Sequence, residues 1–431
     1  MAATAAVQPT SVHSAEAVLF FVLLQLTIIT FAGRLGGVAA QRFRQAAVTG
    51  EIVIGILLGP SFFGYLFPGV FDYVFGSTPP QSMYVLSQIG LILLMFSIGM
   101  EFDFSQLRAK INRDLVTRIA LASLVVPFVL GLTIGYCSAG TLSPGTDPLL
   151  SGLFVATAFS ITALPVLGRI MIECNMNNHP LGVVAISAAA INDLAGWLLL
   201  ALVTAITLAQ FDAWRFLMRV GAIALFGAVC WMGVRPFLKW AVRRFGDDNR
   251  SSVQLTDNLL AIVVVTVFVA AMCTYQLGVF AILGAFIVGV LLHDETILLE
   301  AWKQRVGRFV NIFFLPIFFT YTGLRTQIGG LDSLTLWAWC LLFLVLATLG
   351  KFGATYLAAR SSGLGESESS VLGVMMNTRG LVELIVLNIG LDLAVISRHV
   401  FTMLVIMAII STLITAPVLH RYMSRVSEIR A

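Results

Sequence analysis

Apolar runs of about twenty residues, separated by short polar connections, recur along nearly the whole chain. A helix needs about 20 apolar residues to cross the hydrocarbon of a bilayer, whereas a barrel strand needs only ~10 that alternate in character. The runs do not alternate, so they predict spanning helices, about thirteen by the crossing length. In order they lie near 16–34, 46–66, 83–101, 116–138, 148–172, 181–208, 216–239, 257–276, 278–293, 308–324, 333–358, 369–391 and 399–420. The ninth is short and is divided from the eighth only at Gln276–Gly278. The expected fold class is an all-α polytopic membrane protein with no soluble domain.

The informative positions are the polar ones inside these runs. The sixth carries a single ionisable residue, Asp193, preceded by Asn192 and ringed by Ser187, Ala188, Ala189, Ala190, Ala195 and Gly196. A carboxylate in mid-span is costly, so it is expected to face a protein-lined or watery cavity. The plain alternative is a buried Asp satisfied by neighbouring hydroxyls. The fifth run is interrupted at Ser160-Ile161-Thr162-Ala163-Leu164-Pro165, where proline removes a helical hydrogen bond and frees nearby carbonyls. The twelfth is interrupted at Asn377-Thr378-Arg379-Gly380. With the seventh run as connector, runs 1–6 and 8–13 form two inverted repeats, and both interruptions fall at corresponding places. Repeats of that kind hold their substrate at the midplane, on broken helices.

Charge then orients the chain. Lys and Arg number 26, against 22 Asp and Glu, and charged residues are only 11% of the total, compared with about 25% in soluble domains. Cytoplasmic loops are enriched in Lys and Arg. With the N-terminus outside, 20 of the 26 fall in inside loops, four (Arg215, Arg219, Arg325 and Arg398) fall outside, and Lys351 and Arg379 lie within spans. The C-terminus is then cytoplasmic. The positive balance reflects these loops rather than nucleic-acid binding. The N-terminal stretch has no basic region of the kind that starts a signal peptide. Five scattered cysteines and span-end histidines suggest neither a metal cluster nor a disulfide framework. No cofactor is expected.

The chemistry centres on Asp193. One carboxylate that holds either a proton or a cation is the minimal machinery of antiport. Asn192 adds a neutral carbonyl ligand. Carbonyls freed around Thr162–Leu164, with the Thr162 hydroxyl and the adjoining Ser160, complete an oxygen shell for Na⁺ or K⁺. Lys351, between Gly350 and Gly353, either snorkels toward Arg360 or supplies a countercharge. Arg379 and Glu383 are four apart and suit an intrahelical ion pair with a structural role. Glu101 and Asp103 lie at the cytoplasmic end of the third run and read as interfacial. Glu51 starts a run whose Gly50, Gly55 and Gly59 suit close helix packing. A cation channel with Asp193 as selectivity group, or another ion-coupled transporter on the same fold, is the competing reading. An intramembrane hydrolase would need a second carboxylate, and no such partner is visible.

The chain resembles the second branch of the monovalent cation:proton antiporter superfamily, especially the plant-type CHX cation/H⁺ exchangers and the Kef-like bacterial transporters. The resemblance rests on GEIVIGILLGPSFFG (50–64), LMFSIGMEFDFSQLR (94–108), FVATAFSITALPVLGRIMIE (154–173), SAAAINDLAGWLLLAL (187–202), FFLPIFFTYTGLRT (313–326), LGKFGATYLAAR (349–360) and MMNTRGLVELIVLNIG (375–390). It implies an NhaA-like fold with crossed broken helices. Dimerisation-domain helices would come from residues 1–108 and 251–330, core helices from 109–210 and 331–431 with a short tail, and the connector from 211–250. It implies a homodimer, an elevator-like motion of core against dimer domain, and Asp193 as the residue that alternately binds cation and proton. Lys351 matches the basic residue beside the site, and Glu101 an acidic position of the CHX motif. Many members carry two adjacent Asp where this chain has Asn192–Asp193, which implies electroneutral one-for-one exchange unless Lys351 also cycles a proton. The large cytoplasmic tail of Kef and CHX members has no counterpart here, so gating through such a domain is not expected.

Overall fold

The structure, a computed structural model, describes residues 9–430 except 44, 78–79, 102–112, 175, 177–178, 210–212, 246–255 and 278–279. Among the described residues every regular element is helical. In chain order the principal helices are α1 (Pro9–Arg42), α2 (Ala47–Leu57), α3 (Pro80–Met100), α4 (Arg113–Leu142), α5 (Pro148–Ser160) and α6 (Leu164–Glu173). They continue with α7 (Pro180–Ala209), α8 (Ala213–Val229), α9 (Arg235–Phe245), α10 (Asp257–Gln276), α11 (Ala281–Leu291) and α12 (Thr296–Trp302). The last five are α13 (Leu315–Arg325), α14 (Leu334–Ser361), α15 (Glu366–Met376), α16 (Leu381–Asp392) and α17 (Arg398–Arg430). Among the described residues, eight helices are long and apolar enough to span, ten if each strongly bent pair is one span, and α2, α5 and α11 are shorter apolar helices. All overlap expected runs except the Thr296–Gly307 half of one bent pair, which lies between the ninth and tenth. The eighth and ninth runs separate into α10 and α11 as the sequence suggested, with 278–279 between them outside the described residues.

Short polar residues start the helices where the apolar runs begin. Asp147 accepts hydrogen bonds from the Leu149 and Leu150 N–H groups at 2.8 and 3.1 Å, satisfying two donors that the first turn of α5 leaves open. Ser333 does the same for Leu336 at the start of α14, at 3.2 Å. Glu368 reaches back to the Gly365 N–H at 3.0 Å, ahead of α15.

The helices pack most closely within two groups. One comprises α1, α2, α3, α10, α11 and α13. Backbones nearly touch there: a Cβ on Gly59 would lie 2.2 Å from the Gly323 carbonyl, and one on Gly99 would lie 2.4 Å from that of Phe286. The other comprises α4–α7 and α14–α17, where a Cβ on Gly131 would meet the Ala156 Cα at 2.7 Å. Small residues permit this approach, which replaces lipid contact with dense van der Waals packing. The Gly50, Gly55 and Gly59 series behaves as its spacing suggests, against Gly36, Phe319 and Gly323.

Polar bridges join the groups at their edges. Gln45 Nε2 donates to the Leu413 carbonyl at 3.0 Å, and the Gln327 N–H donates to Thr402 Oγ1 at 3.2 Å. Arg325 at the end of α13 donates to Asn388 Oδ1 at 3.0 Å and to Asp392 Oδ1 at 2.5 Å, both on α16.

Candidate functional site

Two interrupted helices meet in the second group. Between α5 and α6, residues 161–163 leave the helix, and Ile161 is extended, with φ −69° and ψ 137°. The break thus begins ahead of Pro165, which falls in the first turn of α6, where its missing N–H is tolerated. Between α15 and α16, residues 377–380 interrupt a pair of helices bent by 42°. Gly380 there takes φ +152°, and a Cβ on it would lie 2.8 Å from Val166 Cγ2. Both facts require glycine.

The two breaks bond to each other. The Ala163 N–H donates to the Thr378 carbonyl at 3.1 Å, and Thr162 Oγ1 donates to the Met376 carbonyl at 3.1 Å. From α17, Thr412 Oγ1 donates to the Arg379 carbonyl at 2.7 Å and accepts from the Arg379 N–H at 3.1 Å. Irregular backbone is tolerated at membrane depth only when such partners replace the lost helical bonds.

The C-terminal end of α5 is held by two cations. Arg379 donates to the carbonyls of Ala158 at 2.9 Å and Phe159 at 3.2 Å, and the Lys351 ammonium donates to that of Ser160. A helix C-terminus carries partial negative charge and unsatisfied carbonyls, so both charges are well placed. Lys351 is 0% exposed, which rules out snorkelling. Glu383 Oε1 lies 3.0 Å from Arg379 Nη1, with both side chains fully buried. Glu383 sits in the first turn of α16, where the helix favours an acid, whereas Arg379 sits in the break itself. The pair therefore joins break to helix rather than lying along one regular helix face.

Asp193 and Asn192 lie against this crossing on α7, each 0% exposed. Asn192 Nδ2 donates to Ser123 Oγ on α4 at 2.7 Å and to Thr162 Oγ1 at 3.5 Å. Asn192 Oδ1 and both Asp193 carboxylate oxygens make no hydrogen bond among the described residues. The expectation that neighbouring hydroxyls satisfy Asp193 is thus not met. The Trp197 indole N–H, itself in no hydrogen bond of ordinary geometry, is the nearby donor to Asp193, one turn further along α7. Buried oxygens without donors are rare and costly, and they are what a desolvated cation or proton requires.

Ser160 differs from its expected role as a hydroxyl ligand, whereas Glu101 lies exposed at the helix end, in keeping with its interfacial reading. Ser160 turns its hydroxyl to the carbonyls of Ala156 at 2.8 Å and Leu124 at 3.1 Å, so it serves the site by its own carbonyl, through Lys351. Glu101 is exposed and pairs with Lys303 at 3.0 Å. It lines a cavity of about 420 Å³ with Glu300, Lys303 and Arg308. The lining of that cavity comes from both groups and includes Val166 and Leu381, in the first turns of the helices that follow the breaks. Asp103 lies outside the described residues. Ser123, Thr412 and Thr415 escaped the sequence reading, because a lone hydroxyl in an apolar run is ordinary. Ser123 had one available signal: it stands four residues before Pro127, which has no N–H for the Ser123 carbonyl.

Comparison with known proteins points one way. The profile of the sodium/hydrogen exchanger transmembrane family matches residues 26–425. The Na(+)/H(+) antiporter NhaS4 of Synechocystis is 38% identical over 401 residues, covering 93% of this chain and 96% of the relative. Cation/H(+) antiporter 17 of Arabidopsis thaliana is 35% identical over 409 residues, 93% of this chain; the chain spans 48% of that relative's length. The sodium proton antiporter MjNhaP1 of Methanocaldococcus jannaschii shares the fold, with a TM-score of 0.65 at 14% identity over 94% of this chain and 97% of its own. With its apolar helices, two broken helices and family profile, the chain is an integral multi-pass membrane protein and belongs to the sodium/hydrogen exchanger family of cation/proton antiporters.

Proposed function

We propose that the protein exchanges Na⁺ or K⁺ for H⁺ across the membrane, with Asp193 as the carboxylate that the two ions share. The observation that carries this reading is the pair of unpartnered, fully buried Asp193 oxygens beside the crossed breaks. A bound cation leaves no room for a proton there and a proton leaves no charge for the cation, so each displaces the other. Asn192 Oδ1 adds a neutral oxygen, and the Thr162 segment lines the same place. Lys351, Arg379 and Glu383 keep the broken helix ends neutralised without themselves cycling. One titrating acid, with Asn rather than Asp at 192, makes the exchange one cation for one proton and electroneutral.

The core comprises α4–α7 and α14–α17, and it moves as a body against α1–α3, α10, α11 and α13, which also form the homodimer contact. Dense glycine packing within each group and sparse polar bridges between them support that division. Thirteen crossings arranged as two inverted repeats, with the N-terminus outside and the C-terminus cytoplasmic, place the cavity of Glu101 and Lys303 at the cytoplasmic mouth. Arg325 and Arg398 then lie at the outer face.

In proteoliposomes holding a pH gradient, adding Na⁺ or K⁺ should dissipate the gradient, and Asp193→Asn should abolish the response. Undiminished exchange in that variant sinks the site assignment. The channel reading predicts instead a current that follows the cation gradient without coupled proton flux.

A further inference from the structure

Ser123 is wholly buried on α4, outside the broken helices, and its hydroxyl has one proton to give. That proton goes to the Ala120 carbonyl at 3.2 Å on its own helix. Toward Asn192, 2.7 Å away, it presents only lone pairs. Thr162 is in the same condition: its proton goes to the Met376 carbonyl at 3.1 Å, leaving an acceptor 3.5 Å from Asn192. Both hydroxyls facing the Asn192 amide are therefore acceptors, and an amide between two acceptors has to turn its NH₂ toward them. Its carbonyl oxygen is then forced to the opposite side. There Asn192 Oδ1 is buried without a hydrogen bond, as are the oxygens of the adjacent Asp193.

We infer that Ser123 is a positioning residue for the transported cation: by accepting from Asn192 Nδ2 it holds the amide so that Oδ1 faces the ion as a neutral ligand. This rests on the exchange reading above and adds to it a residue of α4. Thr162 lies at the longer distance and belongs to the break, which leaves Ser123 as the stronger determinant of the amide's orientation. Removing the hydroxyl frees the amide to rotate. The cation then loses an oxygen, while the carboxylate that takes the proton keeps its own surroundings.

The test measures the cation KM of purified protein in proteoliposomes over a range of pH, for both Na⁺ and K⁺. Ser123→Ala should raise KM about tenfold, the weight of one lost neutral ligand, with the maximal rate little changed. Because proton and cation compete, the factor should be the same at every pH, and the pH below which KM climbs should not move. Ser123→Cys, a weaker acceptor of similar size, should fall between parent and Ala, and it serves if the Ala variant does not fold. Since Ser123 acts through Asn192, the double variant Ser123→Ala/Asn192→Ala should be no worse than Asn192→Ala alone. A parental KM in Ser123→Ala and Ser123→Cys overturns the inference, as does a double variant whose losses multiply or a displaced pH dependence. Asp193→Asn is the control. If it abolishes exchange while Ser123→Ala is neutral, only the role of Ser123 falls; if exchange survives it, the site reading falls and takes this inference with it.

Discussion

At the scale of single residues, the buried charges answer to helix ends as much as to the transported ion. Lys351 gives its ammonium to the last carbonyl of α5, and Arg379 gives its guanidinium to the two before it. Lys351→Met keeps the bulk and removes the donor. It should cost about 1–3 kcal/mol through an unsatisfied buried carbonyl, read as a lower unfolding temperature in detergent. If Lys351 only balances charge and does not cycle a proton, exchange in that variant stays electroneutral, so an imposed membrane voltage should leave its rate unchanged. Gly380→Ala should be costly for a separate reason. The new methyl meets Val166 at 2.8 Å in a left-handed backbone, a strain of about 1–3 kcal/mol. The second break should lose its geometry, and exchange should drop with stability.

At the scale of elements, the contact between α13 and α16 is the one that the proposed core motion has to break. Arg325 reaches Asn388 and Asp392, and Asn388 Nδ2 donates to Thr322 Oγ1 at 2.9 Å. The proposed motion of the core against α13 opens this bridge. Asp392→Asn should therefore favour the state open on the Arg325 side. A Leu391→Cys reporter, at a residue lining the Arg325-side cavity of about 530 Å³, should be labelled about fivefold faster by an impermeant thiol reagent, the effect of about 1 kcal/mol. The exposed native Cys137 and Cys273 have to be replaced first. Unchanged labelling would argue that the bridge does not restrain the core.

A second inter-element contact involves an acid just beyond the spans. Asp294, after α11, accepts from Arg235 at 2.9 Å and from Lys239, both in the first turns of α9. Burial pushes its carboxyl up, but the hydrogen bonds and charges of Lys239 and Arg235 outweigh that and hold it below the usual carboxylate range. A depressed folded value adds stability above the unfolded value of about 3.9 and loses it as pH falls through the folded one. The groups are partly exposed, so Asp294→Asn should cost only about 0.5 kcal/mol near neutral pH. Thermal unfolding should show that difference shrinking as the pH is lowered below the carboxylate range and as salt is added.

At the scale of the whole molecule, cavities open at both ends of the helix groups. The one lined by Glu101, Lys303 and Arg308 also has Val166 and Leu381 in its wall, next to the breaks, whereas the one on the Arg325 side is lined by Leu391 and Arg398. A Leu381→Cys reporter in right-side-out vesicles should be protected from an impermeant reagent, and in inverted vesicles it should react. The reverse pattern would overturn the proposed orientation.

Much of this was legible in the sequence, for a physical reason. Lipid imposes a single length and a single character on a span, so the helices and the two interruptions stand out without a structure, and so does an acid in mid-helix. Asp193, Asn192, Thr162, Lys351, Arg379 and Glu383 were all found this way. Which side chain serves which backbone was not legible. Lys351 and Ser160 are 191 residues apart, and Arg379 and Ala158 are 221 apart, and no local pattern encodes such pairings. Ser123 and Thr412 carry no charge, so beyond the proline four residues after Ser123 little in an apolar run marks them until the crossing of α5 and α16 brings orphaned amides and carbonyls within reach. The sequence by itself determined that the chain crosses a membrane with a buried acid and two broken helices. Only the tertiary structure decided that the breaks bond to each other, that two cations hold the end of α5, and that the oxygens of Asp193 and Asn192 remain without donors, because hydrogen-bond satisfaction depends on neighbours brought together by packing.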